Sequence, residues 1–367
     1  MFGLRRKSRR INLALQGGGA HGAFTWGVLD RLLEEETIDT SWISGTSAGA
    51  VNAVALASGL ATGGRTGARD TLRAVWSAVA EAGVPDLLRL NPFLFGMSRS
   101  QTLGQMASLF SPYEFNPLGF DPLRKLLSET IDFAKISTTE GPELLIAATD
   151  VATGRSRLFR RREITVEAVL ASTCLPTLHH AVQIEGRAYW DGGFSANPDL
   201  VTLAAESPVR DTLLVLLNPI AKATMPRSAR EIAAEVNRVT FTQPLLRDIA
   251  EIAAHRRDHR GGLFQRRSRA STIAMHNFHM IEAGRHTGAL APESKMRPDK
   301  SMLLQLHNAG REEARKWLGR HEADIGHRST IDLGAQFLAP LASLPGFLET
   351  NPEEVGEDQS TMPAPNL

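Results

Sequence analysis

The sequence predicts an α/β fold of three layers, a mostly parallel central sheet covered on both faces by helices. Three observations carry that expectation. Ile11-Asn-Leu-Ala-Leu15 is a short apolar run that enters a glycine-rich turn, Gln16 to Gly22. An amphipathic stretch follows from Ala23 to Glu36, with Phe24, Val28, Leu29, Leu32 and Leu33 on one side. A second short run, Ser41 to Ser44, leads directly into Gly45-Thr46-Ser47-Ala48-Gly49 and a small-residue helix reaching about Leu60. Strand, helix, strand, helix with short connections is the pattern of parallel pairing, because parallel strands need crossover helices.

The remaining elements follow in chain order. Gly63 to Arg69 reads as a Gly/Thr loop, and Leu72 to Ala82 as a helix. Residues 84–120 lose regularity, with Pro85, Pro92, Pro112 and Pro117 set among Phe93, Phe95, Phe110, Tyr113, Phe115 and Phe120. A long apolar stretch of this kind is a lid or a packed connector. The sheet resumes at Leu144 to Thr149, with Arg157 to Phe159 its partner across the Val151-Ala-Thr-Gly turn. Val166 to Ser172 is helical and ends at Leu175-Pro176; Val182 to Trp190 forms a hairpin about Glu185-Gly186 and runs into Asp191-Gly192-Gly193. Leu213 to Asn218 is a further buried strand. Helices are expected at Ser228 to His259 and Met302 to Leu318, with a strand at Ser271 to Met280 between them. The expected organisation is a basic arm (1–10), a compact core (11–225), a mainly helical C-terminal extension packed on it (226–348) and a disordered acidic tail (349–367).

Composition narrows the classes. Hydrophobic content of 42% and charged content of 22% suit a globular chain. A net charge of +1 argues against general nucleic-acid binding. The charge is uneven: Arg5, Arg6, Lys7, Arg9 and Arg10 form one basic cluster, and Arg256, Arg257, Arg260, Arg266 and Arg267 form another. Either is a solvated face or a contact for anionic lipid at a membrane surface. The lone Cys174 excludes an internal disulfide, and no run of apolar residues is long enough to span a bilayer. A cytoplasmic location, peripheral to the inner face of the membrane, is the resulting expectation.

Gly45-Thr46-Ser47-Ala48-Gly49 is a G-x-S-x-G element at a strand-to-helix junction, the context a nucleophile elbow needs. Glycines at 45 and 49 let the turn close tightly and leave the Ser47 hydroxyl at its tip. Upstream, Gly17-Gly18-Gly19-Ala20-His21-Gly22 also matches a dinucleotide-binding fingerprint. That use requires a carboxylate at the end of the second strand, where this chain has Ser44-Gly45-Thr46-Ser47. The same amides, at a helix start, can instead form a nest for an oxyanion. Ser47 needs a base, and two arrangements are open. Asp191, fixed by the Gly192-Gly193 turn, can take the proton directly. Alternatively His179 or His180 is the base and Asp150 orients it. No His/Asp/Glu grouping has metal-ligand spacing, so neither metal nor cofactor is expected.

Together these blocks resemble a bacterial member of the patatin-like phospholipase family. Gln16-Gly-Gly-Gly-Ala-His-Gly22 is similar to the family's oxyanion block, Gly45-Thr-Ser-Ala-Gly49 to its nucleophile elbow and Asp191-Gly-Gly193 to its catalytic aspartate. Ala171-Ser-Thr-Cys-Leu-Pro176 matches the helix-ending block before the last of these. The resemblance spans about residues 11–220. It implies a patatin-like fold, a Ser47–Asp191 dyad without histidine, an oxyanion hole at Gly17, Gly18 and Gly19, and a lipid ester as substrate. Two positions depart from the common pattern, Gln16 where many members have Asp and His21 where many have Arg or Lys. The expected function is a serine acyl hydrolase of lipid esters acting through an acyl-enzyme. A hydrolase of a thioester or storage polyester, and a non-catalytic protein that binds lipid surfaces, are the alternatives.

Overall fold

The structure, a computed structural model, describes residues 8–82, 111–116, 119, 121–219, 225–259, 268–288, 290, 294–295 and 298–338. Among these, eight strands form one sheet: β1 Arg9–Leu15, β2 Ile38–Thr46, β3 Glu143–Asp150, β4 Ser156–Arg160, β5 Val182–Ile184, β6 Arg187–Asp191, β7 Asp211–Leu216 and β8 Asn277–Glu282. Their order is β5-β6-β3-β2-β1-β7-β8, with β4 also on β3. The β3-β2-β1-β7-β8 portion is parallel. Strands β4 and β6 run antiparallel to β3, and β5 antiparallel to β6. The mostly parallel α/β sheet expected from the sequence is present.

The α-helices of five residues or more among the described residues are α1 Gly22–Leu32, α2 Ala48–Ala82, α3 Pro122–Thr130, α4 Phe133–Thr138, α5 Val166–Ser172, α6 Val201–Glu206, α7 Ala229–Asp258, α8 Arg269–Ala274, α9 Lys300–His321 and α10 Leu333–Phe337. Alternation along the strands decides which side of the sheet each group covers. Ile11, Leu13, Leu15, Leu144, Ile146, Ala148, Leu213 and Val215 share one core with residues of α1, α2 and α9. Their in-between neighbours Ala14, Leu145, Leu214 and Leu216 join a second core with α6, α7 and α8. Each strand residue therefore serves one layer, and the sheet is buried on both faces. No helix of the described residues is long and apolar enough to cross a membrane.

Several local expectations are corrected. The helix after Ser47 breaks just past Leu60, as expected, but no loop runs from Gly63 to Arg69. Only Gly63 and Gly64 leave helical geometry, and α2 resumes at once to Ala82. Gly64, at φ +62°, supplies a conformation few side chains tolerate. The strand expected over Ser271 to Met280 is in fact the end of a short helix followed by a strand. Ser268 caps α8 by accepting the Ser271 N–H at 3.1 Å, and β8 begins where Asn277 pairs with Asp211. Strand β1 starts at Arg9, with Arg9 bound to Glu322 and Arg10 donating to Ser41 Oγ. Residues 84–110, most of the expected lid or connector, lie outside the described residues, as do Arg5 to Lys7, Arg260, Arg266, Arg267 and the tail from residue 349.

Candidate active site

One strand edge brings the serine and the aspartate together. Strand β4 occupies one edge of β3, opposite Leu145 to Thr149. On the other edge β2 ends with Thr46 opposite Ala147. The very next β3 residue, Ala148, is paired with Asp191, the last residue of β6. The two strands thus abut along β3, and the chain leaves β2 at Ser47 beside the place where Asp191 arrives. No stretch of sequence between residues 47 and 191 signals this; the ladder does it.

The elbow is tight. Ser47 has φ +54°, a left-handed conformation rare for a residue with a side chain. A Cβ on Gly49 would fall 2.1 Å from the Leu15 carbonyl oxygen, and one on Gly45 2.7 Å from the Gly49 oxygen. The Ser47 N–H donates to Ser172 Oγ at 2.9 Å, and Thr46 Oγ1 donates to the Ala196 carbonyl at 2.8 Å. Ser172, the last residue of α5, is fully buried, so its hydroxyl is a fixed anchor for the strained turn.

Asp191 is fully buried. Its N–H donates to the Cys174 carbonyl at 2.8 Å, and its own carbonyl accepts from Thr149 Oγ1 at 2.8 Å. Oδ1 accepts the Gly193 N–H at 2.7 Å, while Oδ2 has no partner in hydrogen-bond geometry. Burial pushes the carboxyl up to about 7, against the opposing help of the Gly193 N–H and the neighbouring Ser47 hydroxyl. Gly192 and Gly193 are required here by close approach. A Cβ on Gly192 would fall 2.1 Å from the Ala147 oxygen, and one on Gly193 2.3 Å from the Phe241 ring.

The glycine loop presses on the serine, since a Cβ on Gly17 would fall 2.9 Å from Ser47 Cβ. Its three amides are not equivalent. The Gly17 N–H donates to Asn197 Oδ1 at 2.8 Å. The Gly18 and Gly19 N–H groups have no acceptor among the described residues and stand at the entrance to α1. Gln16 takes the place of a carboxylate by accepting the Leu217 and Asn218 N–H groups at 2.8 and 3.0 Å through Oε1. His21 bonds Ser294 Oγ at 2.7 Å, and burial, aided by Lys295, pushes its pKa down to about 4. His21 is therefore neutral at neutral pH.

The histidine arrangement is not assembled. Asp150 Oδ1 accepts from Thr153 and Oδ2 from Arg187, so it orients no histidine. His180 is bound to the Pro112 carbonyl at 3.1 Å and stacks on Tyr113. His179 is depressed by burial, and both rings line a cavity of about 220 Å³ with Asp121 and Cys174. Burial pushes the Cys174 thiol up to about 12, which leaves it unreactive. Among the described residues no group of His, Cys, Asp and Glu could hold a metal ion. Ser172 lies inside the Ala171–Pro176 block and Asn197 four residues after Gly193, but their supporting roles appear only once the loops meet.

A left-handed serine sits between a sheet and a helix, with two amides that have no acceptor among the described residues and a buried carboxylate at hand. The chain belongs to the patatin-like phospholipase family, which it matches over residues 13–204. At the level of the family it is a lipid acyl hydrolase. Comparison with curated proteins finds no match. Among solved structures, VipD from Legionella pneumophila is 17% identical with a TM-score of 0.44, over 85% of this chain and 67% of that one. The ExoU–SpcU complex of the Pseudomonas aeruginosa type III secretion system is 16% identical with a TM-score of 0.31. That alignment covers 85% of this chain and 52% of the other, so this chain spans about half its length.

Proposed function

We propose that the chain hydrolyses fatty-acyl esters of lipids with Ser47 as nucleophile and Asp191 as its only base. One observation carries the reading: a strained, half-buried serine shares a strand edge with a fully buried carboxylate whose Oδ2 is unpartnered. Ser47 Oγ attacks the ester carbonyl and its proton passes to Asp191. The tetrahedral oxyanion is received by the Gly18 and Gly19 N–H groups, backed by the N-terminus of α1; one such donor is worth roughly 3 kcal/mol. Asp191 then protonates the departing alkoxide, leaving an acyl-serine. Water, deprotonated by the same carboxylate, attacks the acyl carbonyl; the proton then passes from Asp191 to the departing Ser47 Oγ as the fatty acid is released. The raised pKa of Asp191 suits this double use, because a base of ordinary carboxylate strength takes a proton poorly at neutral pH. Gly17 contributes position rather than a donor, its N–H being held by Asn197.

A lipid substrate also fits the surface near the site. Ile232, Val236 and Val239 stand exposed on α7, a few turns before Phe241, which packs against Gly193. Labelling with an alkyl fluorophosphonate tests the nucleophile: wild type should label and Ser47→Ala, with an unchanged circular dichroism spectrum, should not. Equal labelling of the two would end the acyl-enzyme reading. For the base, Asp191→Asn should lower kcat by at least about a hundredfold, while His179→Ala and His180→Ala retain it. The opposite pattern would assign a histidine base.

A further inference from the structure

We propose that Lys295, beside Arg238, forms an anion subsite over the glycine loop that takes the phosphate of the lipid headgroup and so selects anionic over zwitterionic acyl lipids. The proposal rests on the acyl-hydrolase reading of Ser47 and names its substrate class.

Position is the first argument. Gly19, at φ +56°, lies directly under residue 295: a Cβ there would fall 2.3 Å from the Lys295 carbonyl oxygen and 3.5 Å from Lys295 Cβ. The preceding residue is held in place by the bond between Ser294 Oγ and His21 Nε2. A segment far along the chain is thereby fastened onto the loop whose amides face the reacting carbonyl.

Charge is the second. Lys295 has no carboxylate and no hydrogen-bond acceptor among the described residues. Its charged or titratable neighbours among the described residues are both basic, His21 and Arg238. His21 is neutral, and Arg238 is compensated by Glu235 at 2.6 Å. Among the described residues, the uncompensated charge beside the loop is the Lys295 ammonium. A partly buried cation without a counterion is costly to keep, and an anion supplied by a ligand removes that cost. Burial and Arg238 push the Lys295 pKa down to about 8, so the ammonium is still the main form at neutral pH.

Chemistry selects the occupant. The phosphate of a glycerophospholipid lies only a few bonds from its ester carbonyl, so a carbonyl seated at Ser47 carries the phosphate to the neighbourhood of the loop. A charge-assisted hydrogen bond from the ammonium to a phosphate oxygen is the stronger kind. A choline or ethanolamine group on the same phosphate would bring a second cation toward the Lys295 ammonium, which repels it. A headgroup with net negative charge has no such penalty.

The test separates this claim from hydrolysis itself. Binding of dihexanoyl phosphatidylglycerol and dihexanoyl phosphatidylcholine to Ser47→Ala protein is measured by titration calorimetry, with no turnover needed. The expected result is about tenfold tighter binding of the anionic lipid, the scale of one charge-assisted bond. Lys295→Gln in the same background should bring the ratio close to one, and Lys295→Arg should keep it. In wild type the ratio of hydrolysis rates on the two lipids should move in parallel, and should fall as pH rises through about 8. Equal affinities, or a preference untouched by Lys295→Gln, would overturn the subsite and leave the hydrolase standing. Inorganic phosphate binding as tightly as the anionic lipid would mean a free-anion site and would overturn the headgroup assignment. An intact binding preference in a wild type that hydrolyses neither lipid would sink the hydrolase and keep the subsite.

Discussion

Asp191 is held in a state that favours chemistry over stability. Its carboxyl is fully buried and raised from the ordinary range to about 7. The folded protein therefore binds a proton that the unfolded chain releases between about pH 4 and 7, and stability falls as pH rises across that window. Above about 7 the folded state carries the whole cost of a buried charge. Asp191→Asn keeps the shape and an acceptor for the Gly193 N–H while removing that charge. It should raise unfolding free energy by on the order of 2–4 kcal/mol at pH 8 and by little at pH 4, as read from urea titrations at the two values. Activity should run the other way: wild-type kcat/KM should climb with pH and level off above about 7, as the base loses its proton. A flat profile from pH 5 to 8 would contradict the assignment. Ser47 and Asp191 are legible in sequence because their glycine neighbours announce turns of one special shape. Lys295 is not, because nothing local marks it; its meaning comes from the loop beneath it.

At the scale of elements, what the sequence concealed is contact between distant backbones. Gly63 and Gly64 look like the start of a loop, yet only those two residues break α2, since the residues after them have helical propensity and a core to bury against. Ser271 to Met280 reads as one strand, but Ser268 caps a helix over Arg269–Ala274 that occupies the first part of it. Gly27 and Gly310 show the effect best. A Cβ on Gly27 would fall 1.9 Å from the His307 oxygen, and one on Gly310 2.1 Å from the Phe24 oxygen. Helices α1 and α9 therefore cross with backbones in contact, which no pattern within either helix predicts. Gly310→Ala must push the helices apart and should destabilise by about 2–4 kcal/mol. Gly319, in the same helix with nothing near it, is the control: Gly319→Ala should be neutral or stabilise by up to about 1 kcal/mol through helix propensity. Comparable losses in both variants would show that the crossing is not what glycine serves at Gly310.

At the scale of the whole molecule, α9 lies beyond residues 13–204 but is fastened to the helix that starts at the glycine loop. Asp30 of α1 is the tie. It is almost completely buried, accepts from Arg69 of α2 at 2.6 Å and from Arg311 of α9, and has His307 Nε2 3.3 Å away. Burial alone would raise its pKa, but His307, Arg69 and Arg311 together outweigh that and hold it far below the ordinary carboxylate range. A depressed carboxylate contributes stability that is fully present above its unfolded pKa, near 3.9, and is lost as pH falls through its lower folded value. Asp30→Asn removes the buried one of the two carboxylates that Arg69 and Arg311 share, leaving them only the more exposed Glu34 at 3.0 and 2.9 Å. It should cost about 3 kcal/mol at pH 7, the scale for removing one partner of a buried pair. The gap from wild type should narrow below about pH 4 and close only in stronger acid. Arg311→Met, which cuts the tie to α9 alone, should lose less at pH 7 because Arg69 still holds Asp30. If α9 positions the glycine loop through α1, the same variant should also slow hydrolysis at pH 7, where it remains folded. Unchanged kcat with a lowered Tm would confine α9 to stability.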